Sequence, residues 1–92
     1  MSTDLLEETQ SRVQLARPWQ VILFNDEWHP FDQVVLYIQK ATGCSEPAAH
    51  AITLAAHQTG QSSCYAGPLE TCERVAAKLE EIRLRVSIER AP

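Results

Sequence analysis

Trp19–Phe24 reads WQVILF and is followed at once by the polar run Asn25-Asp26-Glu27. Six residues rich in β-branched and aromatic side chains, bounded by turn formers, predict one strand buried over most of its surface. The Asn-Asp pair, whose side chains bond their own backbone, predicts the turn that ends it. Beyond the turn, Pro30 suits the first position of a helix and Asp32 its first turn. Phe31, Val34, Val35 and Ile38 recur at the helical period, so this helix should run to about Ala41 and stop before Gly43. Ser45 is the expected N-cap of a second helix, which tolerates Pro47 in its first turn, reaches Gln58 and ends at Gly60. Cys64 to Ala66 is a short strand candidate, and Gly67-Pro68 turns the chain. Leu69, Cys72, Val75, Ala76, Leu79 and Ile82 describe a third amphipathic helix. Leu84, Val86 and Ile88 alternate with Arg85, Ser87 and Glu89, the period of a half-buried final strand.

The element order is therefore strand, helix, helix, strand, helix, strand. Its economical solution is an α+β fold in which a three-stranded antiparallel sheet is covered on one face by three helices. Residues 1–17 lack a sustained period that connects to this pattern and are expected to form a flexible N-terminal arm, with residues 18–92 as the core domain. Ninety-two residues suit one hydrophobic core, and 45% apolar with 22% charged residues is ordinary for a folded domain. The net charge of -4 supplies no positive field for phosphate backbones or anionic lipid, and Arg83, Arg85 and Arg90 are interleaved with apolar residues. Asp4, Glu7 and Glu8 near the start do not fit a secretory signal, and no apolar run approaches the ~20 residues that span a bilayer. The three cysteines, Cys44, Cys64 and Cys72, form an odd set without a close pair, which fits a reducing cytosolic or organelle-matrix compartment and small core residues.

Two places carry polar groups that a core pattern does not require. One is Asn25-Asp26-Glu27-Trp28-His29; the other is the second helix, where His50, Thr53, Leu54 and His57 share a face. If they meet, Asn25, Asp26 and a neutral His57 can each accept a hydrogen bond beside an apolar patch, which suits a bound ammonium group. Each also has a plainer reading: Asn-Asp as turn chemistry, His57 as a partly buried helical histidine, Trp28 as a packing anchor. Asp26, His57 and Cys64 could on paper form an orienter, base and nucleophile, but their spacing matches no nucleophile elbow or cysteine-protease signature. His29, His50, His57 and the cysteines lack the local spacings of a zinc site, so no metal, no cofactor and no catalysis are expected.

The segment WQVILFNDEWHPFDQVVLYIQKATG, a helix ending in LAAHQTGQSSC and a helix starting near Glu70 together resemble ClpS, the adaptor of the N-degron pathway. The resemblance spans Trp19 to Ala91 and rests chiefly on VIL-x-NDE-x-x-P and on the H-x-x-G of His57 to Gly60. It implies a fold similar to the C-terminal domain of the ribosomal stalk protein and an activity that is binding. Asn25, Asp26 and His57 match the positions that hold a substrate's free α-amino group. His29, Phe31, Val34, Thr53, Ala56 and Arg85 match the pocket for a large hydrophobic N-terminal side chain. Trp28, Glu70 and Arg74 match the region that docks on the N-terminal domain of a ClpA- or ClpC-type unfoldase. The departures fall in the pocket: the family commonly has methionine at Phe31 and Thr53 and threonine at His29, which implies a reshaped, more selective cavity. The alternative is a docking-only paralogue that modulates the unfoldase without reading N-degrons.

Overall fold

Val21 and Leu23, almost wholly buried, decide which face of the first strand is inside. The computed structural model describes residues 17–92 and has six elements: β1 (Trp19–Phe24), α1 (Phe31–Thr42), α2 (Glu46–Thr59), β2 (Gln61–Gly67), α3 (Leu69–Glu80) and β3 (Val86–Arg90). The expected arm lies, apart from Arg17, outside the described residues. β1 is central in a sheet of order β2-β1-β3, paired antiparallel to both neighbours. Val21, Leu23, Val34, Val35, Ile38, Ala49, Ala56, Cys64, Cys72, Val75, Ala76, Leu79 and Leu84 form one core cluster between that sheet and the helices. The α+β arrangement expected from the element order is the one observed.

The helix ends are set by capping. Pro30 occupies the N-cap of α1 rather than its first position, so the helix starts one residue later than expected, and the Pro30 carbonyl accepts from Gln33 and Val34 N–H. Ser45 caps α2, its hydroxyl accepting from Ala48 N–H at 3.3 Å. Gly43 and Gly60 close α1 and α2 in the left-handed region at φ 77° and 97°, where glycine has no Cβ penalty.

Three elements differ from the sequence-based expectation by more than one residue. β2 is longer, Gln61–Gly67, and carries a bulge: Tyr65 pairs with Val21 and Ser63 with Ile22, so Cys64 is the extra residue. Its buried thiol lies 3.5 Å from the Val21 carbonyl. α3 ends at Glu80 rather than near Ile82, and the final strand begins at Val86 rather than Leu84. Both changes have one cause. Leu84 N–H bonds back to the Leu79 carbonyl and Arg83 N–H to that of Glu80, with Arg83 left-handed at φ 63°. This is the Schellman closure, with an arginine where glycine is usual and with buried Leu79 and Leu84 as its hydrophobic pair. Leu69, expected on the apolar face of α3, is 38% exposed at the helix start.

Candidate functional site

The backbone brings the two polar regions together. Phe24 N–H donates to the Arg85 carbonyl at 3.0 Å, ending β1 against the approach to β3. One residue later, Asn25 N–H donates to the Gly60 carbonyl at 2.9 Å. Because Gly60 closes α2, that bond sets Asn25 beside the last turn of the helix, where His57 stands. The H-x-x-G spacing therefore has a mechanical meaning: the glycine anchors the strand end and the histidine one turn earlier shares its neighbourhood.

The Asn25–Pro30 loop is then folded by Asp26. One oxygen, Oδ1, accepts from both Trp28 and His29 N–H at 2.9 Å, an Asx-type turn. The other, Oδ2, lies 2.7 Å from His29 Nδ1. His29 Nε2 makes a short contact with the carbonyl of Ile82, in the turn that follows α3. Burial opposes ionisation of Asp26, but the donors from His29 and Trp28 outweigh it and hold the carboxyl below its ordinary value. The Ile82 carbonyl, followed by the opposing effect of burial and the support of Asp26, raises His29 above its ordinary value.

Around this loop lies a cavity of about 340 Å³. β1 contributes Leu23 and Phe24, the loop Asn25, Asp26, Glu27 and His29, α1 Phe31 and Val34, α2 Thr53, Ala56 and His57, and Leu84 completes it. The volume is at the small end of ligand pockets, suited to one side chain with its backbone. Thr53 is buried but satisfied, its hydroxyl donating to the Ala49 carbonyl at 2.8 Å. Phe31 is held edge-on against the His50 ring, with centroids 5.0 Å apart. The expected polar face of α2 is thus divided: Thr53 and His57 line the cavity, His50 braces Phe31, and Leu54 is 38% exposed.

Of the nine residues expected at an amine site and pocket, eight line this single cavity: Asn25, Asp26, His29, Phe31, Val34, Thr53, Ala56 and His57. Arg85 is outside it, with its guanidinium 5.1 Å from the centre of the Phe24 ring. Leu23, Phe24, Glu27 and Leu84 line it without having been singled out as site residues. The first three adjoin the Asn-Asp turn in sequence, which was signal enough; Leu84 comes from the far end of the chain and carried none. Trp28 is 90% exposed and anchors no packing, which overturns its plainer reading. Glu70 and Arg74 are exposed one turn apart on α3. Cys64 is not in the cavity lining, and burial pushes its thiol up to about 12, so the paper triad with Asp26 and His57 has no nucleophile at neutral pH. Among the described residues no cluster of three or more His, Cys, Asp or Glu could hold a metal ion, and no helix is long and apolar enough to cross a membrane.

Comparison with known proteins adds an independent measure. A family model described as "ATP-dependent Clp protease adaptor protein ClpS" matches residues 14–87. An ATP-dependent Clp protease adapter protein ClpS from Hydrogenovibrio crunogenus is 35% identical over 60 residues, covering 65% of this chain and 58% of that protein. One from Aromatoleum aromaticum is 31% identical over 78 residues, covering 85% of this chain and 74% of the relative. Among solved structures, Agrobacterium tumefaciens ClpS2 bound to L-phenylalaninamide superimposes with a TM-score of 0.75 at 18% identity, covering 82% of this chain and 98% of that one.

Proposed function

The chain belongs to the ClpS family, and from that premise we propose that it is a non-catalytic adaptor that binds the free α-amino group and large hydrophobic first residue of N-degron substrates and delivers them to a ClpA- or ClpC-type unfoldase. The observation that carries this reading is that one cavity, of a size for one residue, is lined both by Leu23, Phe31, Val34, Ala56 and Leu84 and by the acceptors of Asn25, Asp26 and His57. An α-amine with a pKa of about 7.7–8.0 is largely cationic at neutral pH and favours charge-assisted partners, each contributing about 1.5–3 kcal/mol. Burial of one large apolar side chain adds about 1.5–3 kcal/mol. L-phenylalaninamide, the ligand of the similar ClpS2, offers these same two features, an α-amine and a benzyl group.

Fluorescence anisotropy with peptides that differ only in their first residue tests the reading. Peptides beginning with Leu, Phe, Tyr or Trp should bind, and acetylating the amine should remove most of the affinity. Equal binding of the free and acetylated forms would refute amine capture.

The second reading, a docking-only paralogue, has one observation in its favour. Asp26 already accepts three hydrogen bonds, leaving about one of the four acceptor sites of a carboxylate for an amine. On either reading the exposed Trp28, with Glu70 and Arg74, supports a surface for the N-terminal domain of the unfoldase. A peptide panel without binders, together with intact association with that domain, would select the docking-only paralogue.

A further inference from the structure

Neutral imidazole has one N–H and one bare nitrogen, and each His29 nitrogen faces an acceptor: Nδ1 the Asp26 carboxylate at 2.7 Å, Nε2 the Ile82 carbonyl. Only the doubly protonated ring donates to both. His29 is also the side chain that joins the turn carrying Asn25 and Asp26 to the turn after α3, 53 residues away in sequence. We propose that His29 is a positioning residue which, as an imidazolium, ties the 25–29 loop to the Ile82 carbonyl, so that capture of N-terminal peptides weakens as the pH rises past neutrality. The proposal rests on the amine-capture reading above.

The surroundings of the ring define what else titrates there. In the same cavity the loop presents Asp26 and Glu27, and α2 presents His57. α1 presents Phe31 and Val34, β1 presents Leu23 and Phe24, and Leu84 precedes β3, none of them ionisable. The turn after α3 offers an uncharged carbonyl. Asp26 is therefore the one carboxylate bonded to the ring among the described residues, and the same carboxylate shapes the loop. When the ring loses a proton it keeps one donor. Either the Asp26 contact is given up, which loosens the loop from within, or the Ile82 contact is given up, which leaves the loop held by the backbone bond from Asn25 to Gly60, a bond that does not titrate.

The direction follows from linkage. His29 is raised above 6.5 by the fold, so the stabilisation it contributes is complete below about pH 6.5 and is lost as the pH rises through the folded value. Asp26 is lowered below 3.8, so its contribution is present above that value and is lost as the pH falls through the depressed one. The clamp is complete between the two.

The test compares the parent with His29→Gln, which keeps a neutral donor but cannot titrate. Anisotropy of a peptide beginning with Phe is measured from pH 6 to 9 with both proteins. Titration of the peptide amine and of every group other than residue 29 affects both alike and cancels in the ratio of dissociation constants. That ratio should fall from about tenfold weaker binding by the variant at pH 6, the scale of one charge-assisted hydrogen bond, to near unity at pH 9. In parallel, ring-nitrogen NMR of the peptide-free parent should show His29 doubly protonated at pH 6.5. A ratio that stays constant across the range would reduce His29 to a structural role and overturn the proposal, as would a singly protonated ring at pH 6.5. Absence of peptide binding by either protein at every pH would overturn amine capture and the coupling with it, while the ring titration would still report the clamp by itself.

Discussion

Two helix ends hold the same loop, and they do it by different chemistry. α2 ends at Gly60, left-handed at φ 97°, and its carbonyl takes the N–H of Asn25. α3 closes through Arg83, left-handed at φ 63°, and the Ile82 carbonyl just before it takes a side-chain donor from His29. The first attachment is backbone to backbone, insensitive to side-chain identity at Asn25 and to pH. The second exists because one histidine is present and charged. The contrast separates what the fold supplies to every sequence that adopts it from what this sequence adds.

The comparison breaks most visibly at Gly60. Nothing lies within 4 Å of a Cβ built there, so a side chain meets open space and the cost is conformational. Gly60→Val, which forces a β-branched residue into the left-handed region, should destabilise the domain by about 1–3 kcal/mol. For a domain of this size that is roughly 5–20 °C in thermal melts, with the same loss at pH 6 and pH 9. A loss confined to one end of that range would show that the α2 attachment also depends on a titrating group.

The α3 attachment should respond oppositely. His29→Gln should cost about 1.5–3 kcal/mol in urea unfolding at pH 6, the worth of a charge-assisted bond, with the difference shrinking toward zero by pH 9. A difference that grows with pH would contradict the sign derived for His29. Arg83 sharpens the comparison from the other side: Arg83→Gly should stabilise by about 0.5–1 kcal/mol at all pH values, since glycine relieves the left-handed strain. A destabilised variant would mean that the arginine side chain holds contacts that outweigh it.

The smallest effect on stability belongs to Trp28, which sits between the two attachments and is 90% exposed. Trp28→Ala should change the unfolding free energy by no more than about 0.5 kcal/mol, as for exposed positions generally. The same variant should lose affinity for the N-terminal domain of the unfoldase in a titration. Undiminished affinity would remove Trp28 from the docking surface.

These differences track how much could be read from the chain beforehand. β1, the caps at Ser45, Gly43 and Gly60 and the apolar stripes of α1 and α3 were legible because propensity, capping and periodicity agree there. The closure at Arg83 was not, because an arginine gives no local signal for a left-handed residue, and α3 and β3 were accordingly placed too close together. The bulge at Cys64 was hidden for a related reason: register is a property of two strands, and QSSCYAG alone does not show which residue lacks a partner. Most of the cavity lining was legible as residue types, but the bond from Asp26 to His29 and onward to Ile82 was not. Asp26 looked like a free acceptor beside a turn; its donors include a residue three positions on whose other nitrogen reaches across the fold.

The bulge at Cys64 has a consequence for how copies of the chain meet. With β1 central, β2 and β3 are both edge strands, and a sheet edge offers a row of unpaired N–H and C=O groups onto which another chain can stack. β3 is only five residues long and carries Glu89 and Arg90 at its end. β2 is the longer edge, and there the extra residue breaks the even spacing of the row and increases the local twist. A second copy approaching that edge meets no straight template, so the irregularity that draws the Cys64 thiol into the core also discourages self-association in a crowded solution.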